Sequence, residues 1–124
     1  MTSCSRGDFI RWVMRGKRCV LVTNRPEPDL CKDMAEWSGM EVTVCLNQAR
    51  RLDAVVDAIK ARRIAVVMLV TSFLGHDVDA KLQGACRGGS TRLLRVRKGK
   101  ARVLMDELAK HVFAGHQPFG HLNA

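Results

Sequence analysis

Residues 64–77, IAVVMLVTSFLGHD, decide the fold. They open with seven consecutive apolar residues, four of them β-branched. A run with no polar alternation marks a strand buried on both faces, the centre of a parallel sheet covered by helices. It stops at Thr71-Ser72 and turns through Phe73-Leu74-Gly75. His76-Asp77 then open a helix over 76–87, with Val78, Leu82 and Ala85 facing inward, and Gly88-Gly89-Ser90 break it.

Upstream, RCVLVT (18–23) is a short apolar strand ended by Asn24-Arg25-Pro26-Glu27-Pro28. The two prolines forbid strand continuation, and Pro28 suits the first turn of a helix over 29–38. Leu30, Met34 and Trp37 line that helix, and Gly39 is its C-cap. EVTVCL (41–46) alternates, which predicts a strand with one less buried face, nearer an edge. A helix over 52–62 follows, with Leu52, Val55, Val56 and Ile59 at helical spacing. Downstream, TRLLRV (91–96) is a fourth strand, placed at an edge by Arg92 and Arg95. The turn Arg97-Lys98-Gly99-Lys100 leads into a last helix over 101–113 presenting Leu104, Leu108 and Val112. Residues 114–124 show no periodicity and read as a flexible tail.

The order is therefore β-α-β-α-β-α-β-α, which predicts an α/β three-layer sandwich, Rossmann-like or flavodoxin-like. Right-handed crossovers make 2-1-3-4 the expected order of a four-stranded parallel sheet. Residues 1–17 precede this domain of 18–113 as an amphipathic basic helix. Ser5-Arg6-Gly7-Asp8 has the form of a helix-start box. Phe9, Ile10, Trp12, Val13 and Met14 cover one broad side, with Arg11, Arg15 and Arg18 on the other. Five large apolar groups need burial, so this helix is expected to cover its own sheet; the alternative is a partner or oligomer contact.

A chain of 124 residues buries enough surface to fold as one domain without disulfide or metal. Its 21 Lys and Arg against 12 Asp and Glu give a formal charge of +9, which favours polyanion partners, nucleic acid first. Five cysteines, an odd number with no C-x-x-C, point to a reducing compartment, the cytoplasm. Cys19 and Cys45, inside apolar runs, read as small buried hydrophobes. No run of ~18 apolar residues exists to span a membrane.

Open parallel sheets bind ligands outside the carboxyl ends of the strands, where the strand order reverses. Here that point lies between the first and third strands. The flanking loops supply Thr23, Asn24, Arg25, Thr71, Ser72 and His76, and the turn after the fourth strand supplies Arg97, Lys98 and Lys100. These nine residues form a candidate anion site fed by helix N-termini. A purely structural role competes: Ser72 and Asp77 as helix caps, Thr23 and Thr71 as strand closures. Seven cations in residues 87–102 with no acid form a second candidate surface. The nucleic-acid-binding set is Arg11, Arg15, Arg92, Arg95, Arg97, Lys98, Lys100 and Arg102, with backbone contacts expected rather than base readout.

The P-loop, the dinucleotide fingerprint, the receiver-domain acids and the G-x-S-x-G elbow are all absent from the sequence, so no cofactor is expected. His76 with Ser72 as nucleophile lacks an identifiable third group. His111, His116 and His121, five apart, fit a loose tail better than a metal site.

The Val70-Thr71-Ser72 strand end, His76 opening a helix, and Arg95-Val96-Arg97 with Gly99 before the last helix resemble the small bacterial domain-of-unknown-function family 2325. The likeness spans residues 18–113. It implies a compact Rossmann-like domain and no settled activity; the family's recurrent histidine matches His76 and its basic turn matches Arg97. The residues together predict a binding module for nucleic acid or a phosphorylated ligand. The alternatives are a small enzyme acting on a nucleotide or phosphate ester through His76, and a non-catalytic subunit of a larger assembly.

Overall fold

A computed structural model describes residues 6–116, and only the backbone of Arg6, Gly7, Phe73, Ala114, Gly115 and His116. In chain order the elements are α1 (Arg6–Met14), β1 (Arg18–Thr23), α2 (Pro28–Ser38), β2 (Glu41–Leu46), α3 (Ala49–Lys60), β3 (Val66–Val70), α4 (His76–Cys86), β4 (Arg92–Val96) and α5 (Ala101–His116). The four strands form one parallel sheet in the expected order, β2-β1-β3-β4.

The central strand shows why helices must cover both faces. Successive side chains of a strand point to opposite faces. Val66, Met68 and Val70 enter one core with Ile10 and Met14 of α1, Leu30 and Met34 of α2, and Leu104, Leu108 and Val112 of α5. Val67 and Leu69 enter the other with Leu52, Val55 and Ile59 of α3 and Leu82 of α4. All five residues of β3 are essentially inaccessible. Cys19 and Cys45 are buried as expected, and burial, with a smaller contribution from Cys31, pushes the Cys19 thiol up to about 12. No helix among the described residues is long and apolar enough to cross a membrane.

Several boundaries differ from the sequence reading. Ile64 is buried, but pairing in β3 begins at Val66; Ala65 bridges the gap, its N–H donating to Arg18 O and its carbonyl accepting from Arg92 N, both at 2.9 Å. α3 begins at Ala49, three residues ahead of its apolar stripe, with Arg50 and Arg51 in its first turn. α5 continues to His116, so the first residues assigned to the tail are helical; a glycine near a helix end costs only about 1 kcal/mol. Ser5 of the helix-start box and residues 117–124 lie outside the described residues.

α1 covers the sheet as expected, with one exception. Ile10 and Met14 are buried, and Phe9 stacks on Phe113 of α5 with ring centroids 5.2 Å apart. Trp12 stands 78% exposed. At about 100° per residue it falls about 160° from Met14, outside the roughly 100° stripe a helix can bury. Gly39 lets α1 sit down on the end of α2. Its φ of 77° is the left-handed C-cap conformation, and a methyl group there would meet Arg11 Cγ at 3.1 Å.

The end of α3 is closed differently. Arg62 carries the left-handed conformation, φ 61°, where glycine is the usual residue. Its N–H donates to Ile59 O and that of Arg63 to Ala58 O, each at 2.9 Å. For a residue with a Cβ this conformation costs roughly 1–2 kcal/mol.

These placements give opposite expectations for two neighbouring apolar residues. Ile10→Ala should lower the unfolding free energy by about 2–5 kcal/mol and Trp12→Ala by less than about 0.5 kcal/mol, read from urea unfolding midpoints. Equal losses would mean that α1 does not pack as described.

Candidate anion-binding rim

Each helix that follows a strand runs back antiparallel to it, so α2, α3, α4 and α5 all begin at the carboxyl edge of the sheet. Free N–H groups of four helices therefore face one rim, with their partial positive charge. The reversal between β1 and β3 lies at its middle.

The β4–α5 turn lies on one side of that middle, over the end of β3. Val96 is buried at the end of β4, and the chain then passes over β3. A methyl group on Gly99 would lie 3.7 Å from Val70 Cγ2 and 3.9 Å from Leu30 Cδ2, so the glycine rests on the end of β3 and against α2. Arg97, Lys98 and Lys100 flank this contact and are exposed, as is Arg102 in the first turn of α5. Their side chains make no ion pair or hydrogen bond among the described residues. Cations at helix N-termini oppose the macrodipole, so a bound anion would relieve both.

The other candidates divide. Asn24 and Arg25 are exposed beside the switch point, with Arg25 Nε 3.0 Å from Glu27 Oε1. Ser72 is exposed on a single 3-10 turn, and His76 is exposed at the first position of α4. No side chain caps α4, so neither Ser72 nor Asp77 takes the capping role. A cavity of about 140 Å³ lies under this corner, lined by Leu69, Thr71, Leu74, Gly75, His76 and Asp79. Thr23 and Thr71 face inward instead. Thr23 is buried and its carbonyl accepts from Asn47 N; the Thr71 hydroxyl donates to Val96 O at 3.2 Å, tying β3 to the end of β4. Both close strand ends, and Thr71 also lines the cavity beside His76.

The seven cations of residues 87–102 do not form one patch. Arg87 and Arg92 lie at the amino edge, at the end of α4 and the start of β4. Arg11 and Arg15 lie away from the rim too, on α1, where Arg15 packs by Gly39 and Arg11 has Asp8 at 3.9 Å. Arg95 is engaged midway. Its Nε donates to Asp79 Oδ2 at 2.6 Å and its second nitrogen to Asp79 Oδ1 at 2.8 Å and Gln83 Oε1 at 3.1 Å, clamping β4 to α4. The rim thus keeps Arg97, Lys98, Lys100 and Arg102 from the nucleic-acid set. It gains Arg50 and Arg51, exposed in the first turn of α3, which sequence proximity groups with Arg62 and Arg63 at the helix's other end.

Among the described residues no group of three His, Cys, Asp or Glu is placed to hold a metal ion; His121 lies outside them. No family model, curated protein or solved structure matches the chain.

The Arg95 clamp has a pH consequence. Hydrogen bonding from Arg95 holds the Asp79 carboxyl below the ordinary carboxylate range, and the guanidinium is raised in turn. A depressed acid adds stability that is present above its unfolded pKa and lost as pH falls through its folded pKa. With the Arg95 side chain 43% exposed, the pair is worth about 0.5–1 kcal/mol. Asp79→Asn should lower stability by that amount at neutral pH and match wild type at a pH below the Asp79 pKa. A loss independent of pH would show that the clamp is not ionic.

Proposed function

We propose that the chain is a non-enzymatic binding module whose carboxyl rim holds the phosphate backbone of nucleic acid. One observation carries this reading: Arg97, Lys98 and Lys100, unpaired by any acid, flank the Gly99 contact on the end of β3 and α2, beside the strand-order reversal. Arg102, Arg50 and Arg51 extend the positive edge on either side, Arg25 sits beside it paired with Glu27, and Asn24, Ser72 and His76 add hydrogen-bonding groups. The form of the rim favours an extended partner. Its concave space beside His76, about 140 Å³, is smaller than the roughly 300–1,000 Å³ of small-molecule sites, and the hollow of about 460 Å³ at its β2 end is walled mainly by apolar groups, with Glu27 beside them, which does not suit a compact phosphate. Cations on an open edge suit a backbone, and no aromatic side chain of the described rim offers a stacking platform. The resemblance of the strand end, His76 and the basic turn to the domain-of-unknown-function family 2325 stays part of this proposal.

Two other readings rest on less. Catalysis on a nucleotide or phosphate ester needs His76 joined to a nucleophile, and His76 shares no hydrogen bond with Ser72. Assembly with an acidic protein or a second copy is favoured by exposed Trp12 between Arg11 and Arg15 on α1.

Filter binding to duplex DNA and to RNA at two salt concentrations separates these readings. Wild type should bind at low salt with a steep log–log dependence, and replacing Arg97, Lys98 and Lys100 together by alanine should flatten the slope by about 2–3, near one unit per lost phosphate contact. Wild type that binds neither polymer at low salt removes the proposal; light scattering that shows an oligomer lost in Trp12→Ala supports assembly through α1.

A further inference from the structure

The opposite edge of the sheet carries a larger hollow. A cavity of about 550 Å³ opens at the amino ends of the strands. Its wall is the start of β1 and β2 with Arg18 and Glu41, the turn before β1 with Lys17, and the α3–β3 connection with Arg62 and Arg63. Four cations thus face one carboxylate, and Glu41 is already 3.8 Å from Arg18. The side chains of Lys17, Arg62 and Arg63 make no ion pair or hydrogen bond among the described residues. The volume falls within the range of small-molecule sites.

A structural explanation for these cations is that they complement the negative ends of the helices that stop here. At α3 that need is met by main chain: the N–H groups of Arg62 and Arg63 satisfy Ile59 O and Ala58 O. The guanidinium groups are left over. Arg62 also holds a left-handed conformation that glycine would adopt without strain, so the fold by itself favours glycine there. Strain retained at a cavity wall is a feature of binding sites. The lining has few apolar groups, Ile64 and Ala65, which suits a compact ligand dominated by charge rather than a stacked base.

We infer that this amino-edge cavity binds a small polyphosphorylated ligand, with Arg62 and Arg63 as its principal contacts and Lys17 beside them. The inference is independent of the rim. Three or more free cations around one hollow match a ligand with at least two adjacent phosphoryl groups, which the planar guanidinium forks bind in bidentate fashion.

Isothermal titration of the full chain with inorganic tripolyphosphate tests it, at about 0.1 M salt so that distant charges are screened. Wild type should bind at one site. Arg62→Gly should raise the thermal midpoint of the free protein by about 4 °C, through relief of strain, yet weaken tripolyphosphate at least tenfold. Arg63→Ala, which leaves the left-handed position untouched, should weaken it similarly. The rim variant Lys98→Ala with Lys100→Ala should bind within twofold of wild type. Absence of binding by wild type, unchanged affinity in Arg62→Gly and Arg63→Ala, or an equal loss in the rim variant overturns the inference.

Discussion

The burial of β3 on both faces is the constraint from which the rest follows. Its five residues have no accessible side, so each face needs its own layer of helices. Parallel neighbours need crossovers, and crossovers of one hand send α2 to one face and α3 and α4 to the other, while α5, after the last strand, packs on the α2 face. The helices that follow strands must then start at one edge and finish at the other. Both candidate sites inherit their character from that polarity. The carboxyl edge receives helix N-termini and the connections that leave strands; the amino edge receives helix C-termini and the connections that enter them.

The few acids decide which cations remain available. Asp79 takes Arg95, Glu27 takes Arg25, and Lys81 of α4 pairs with Asp53 of α3. These pairs join an element to its neighbour or close a turn, and two groups stand out among the cations they leave unpaired. One is Arg97, Lys98, Lys100 and Arg102 at the rim; the other is Lys17, Arg62 and Arg63 around the amino-edge cavity. The unpaired cations thus gather at both ends of the sheet, while a bidentate clamp locks α4 to β4.

Sheet order was legible because it depends on alternation and chain hand, and both are written in the order of apolar segments. The rim was legible for the same reason: loops that leave parallel strands must share an edge. What the residues cannot express is the direction of a single side chain. Thr71 and Ser72 are adjacent hydroxyls at a strand end, yet one donates to Val96 O and the other faces solvent. The density of cations in residues 87–102 is likewise misleading. A strand rises about 3.3 Å per residue, so Arg92 and Arg97 stand about 16 Å apart at opposite edges. Arg50 and Arg62 are separated in the same way by the length of α3. One wall of the amino-edge cavity is Arg62 at φ 61°, a conformation arginine seldom takes, and no pattern of residue types announces it.

The two edges should also act over different distances. At the rim, side-chain cations and helix N-termini have the same sign, so their fields add and reach outward to about a Debye length, near 8 Å at physiological salt. Such an edge attracts any polyanion and steers it, with little power to choose. At the amino edge the helix C-termini carry the opposite sign. They cancel part of the cationic field at a distance, and the guanidinium groups act fully only on a ligand that has entered and displaced water from them. An edge built this way discriminates by contact geometry. The same excess of arginine and lysine thus yields a broad electrostatic surface at one end of the sheet and a short-range, shape-dependent site at the other, because the helix dipoles reinforce the charge in the first case and oppose it in the second.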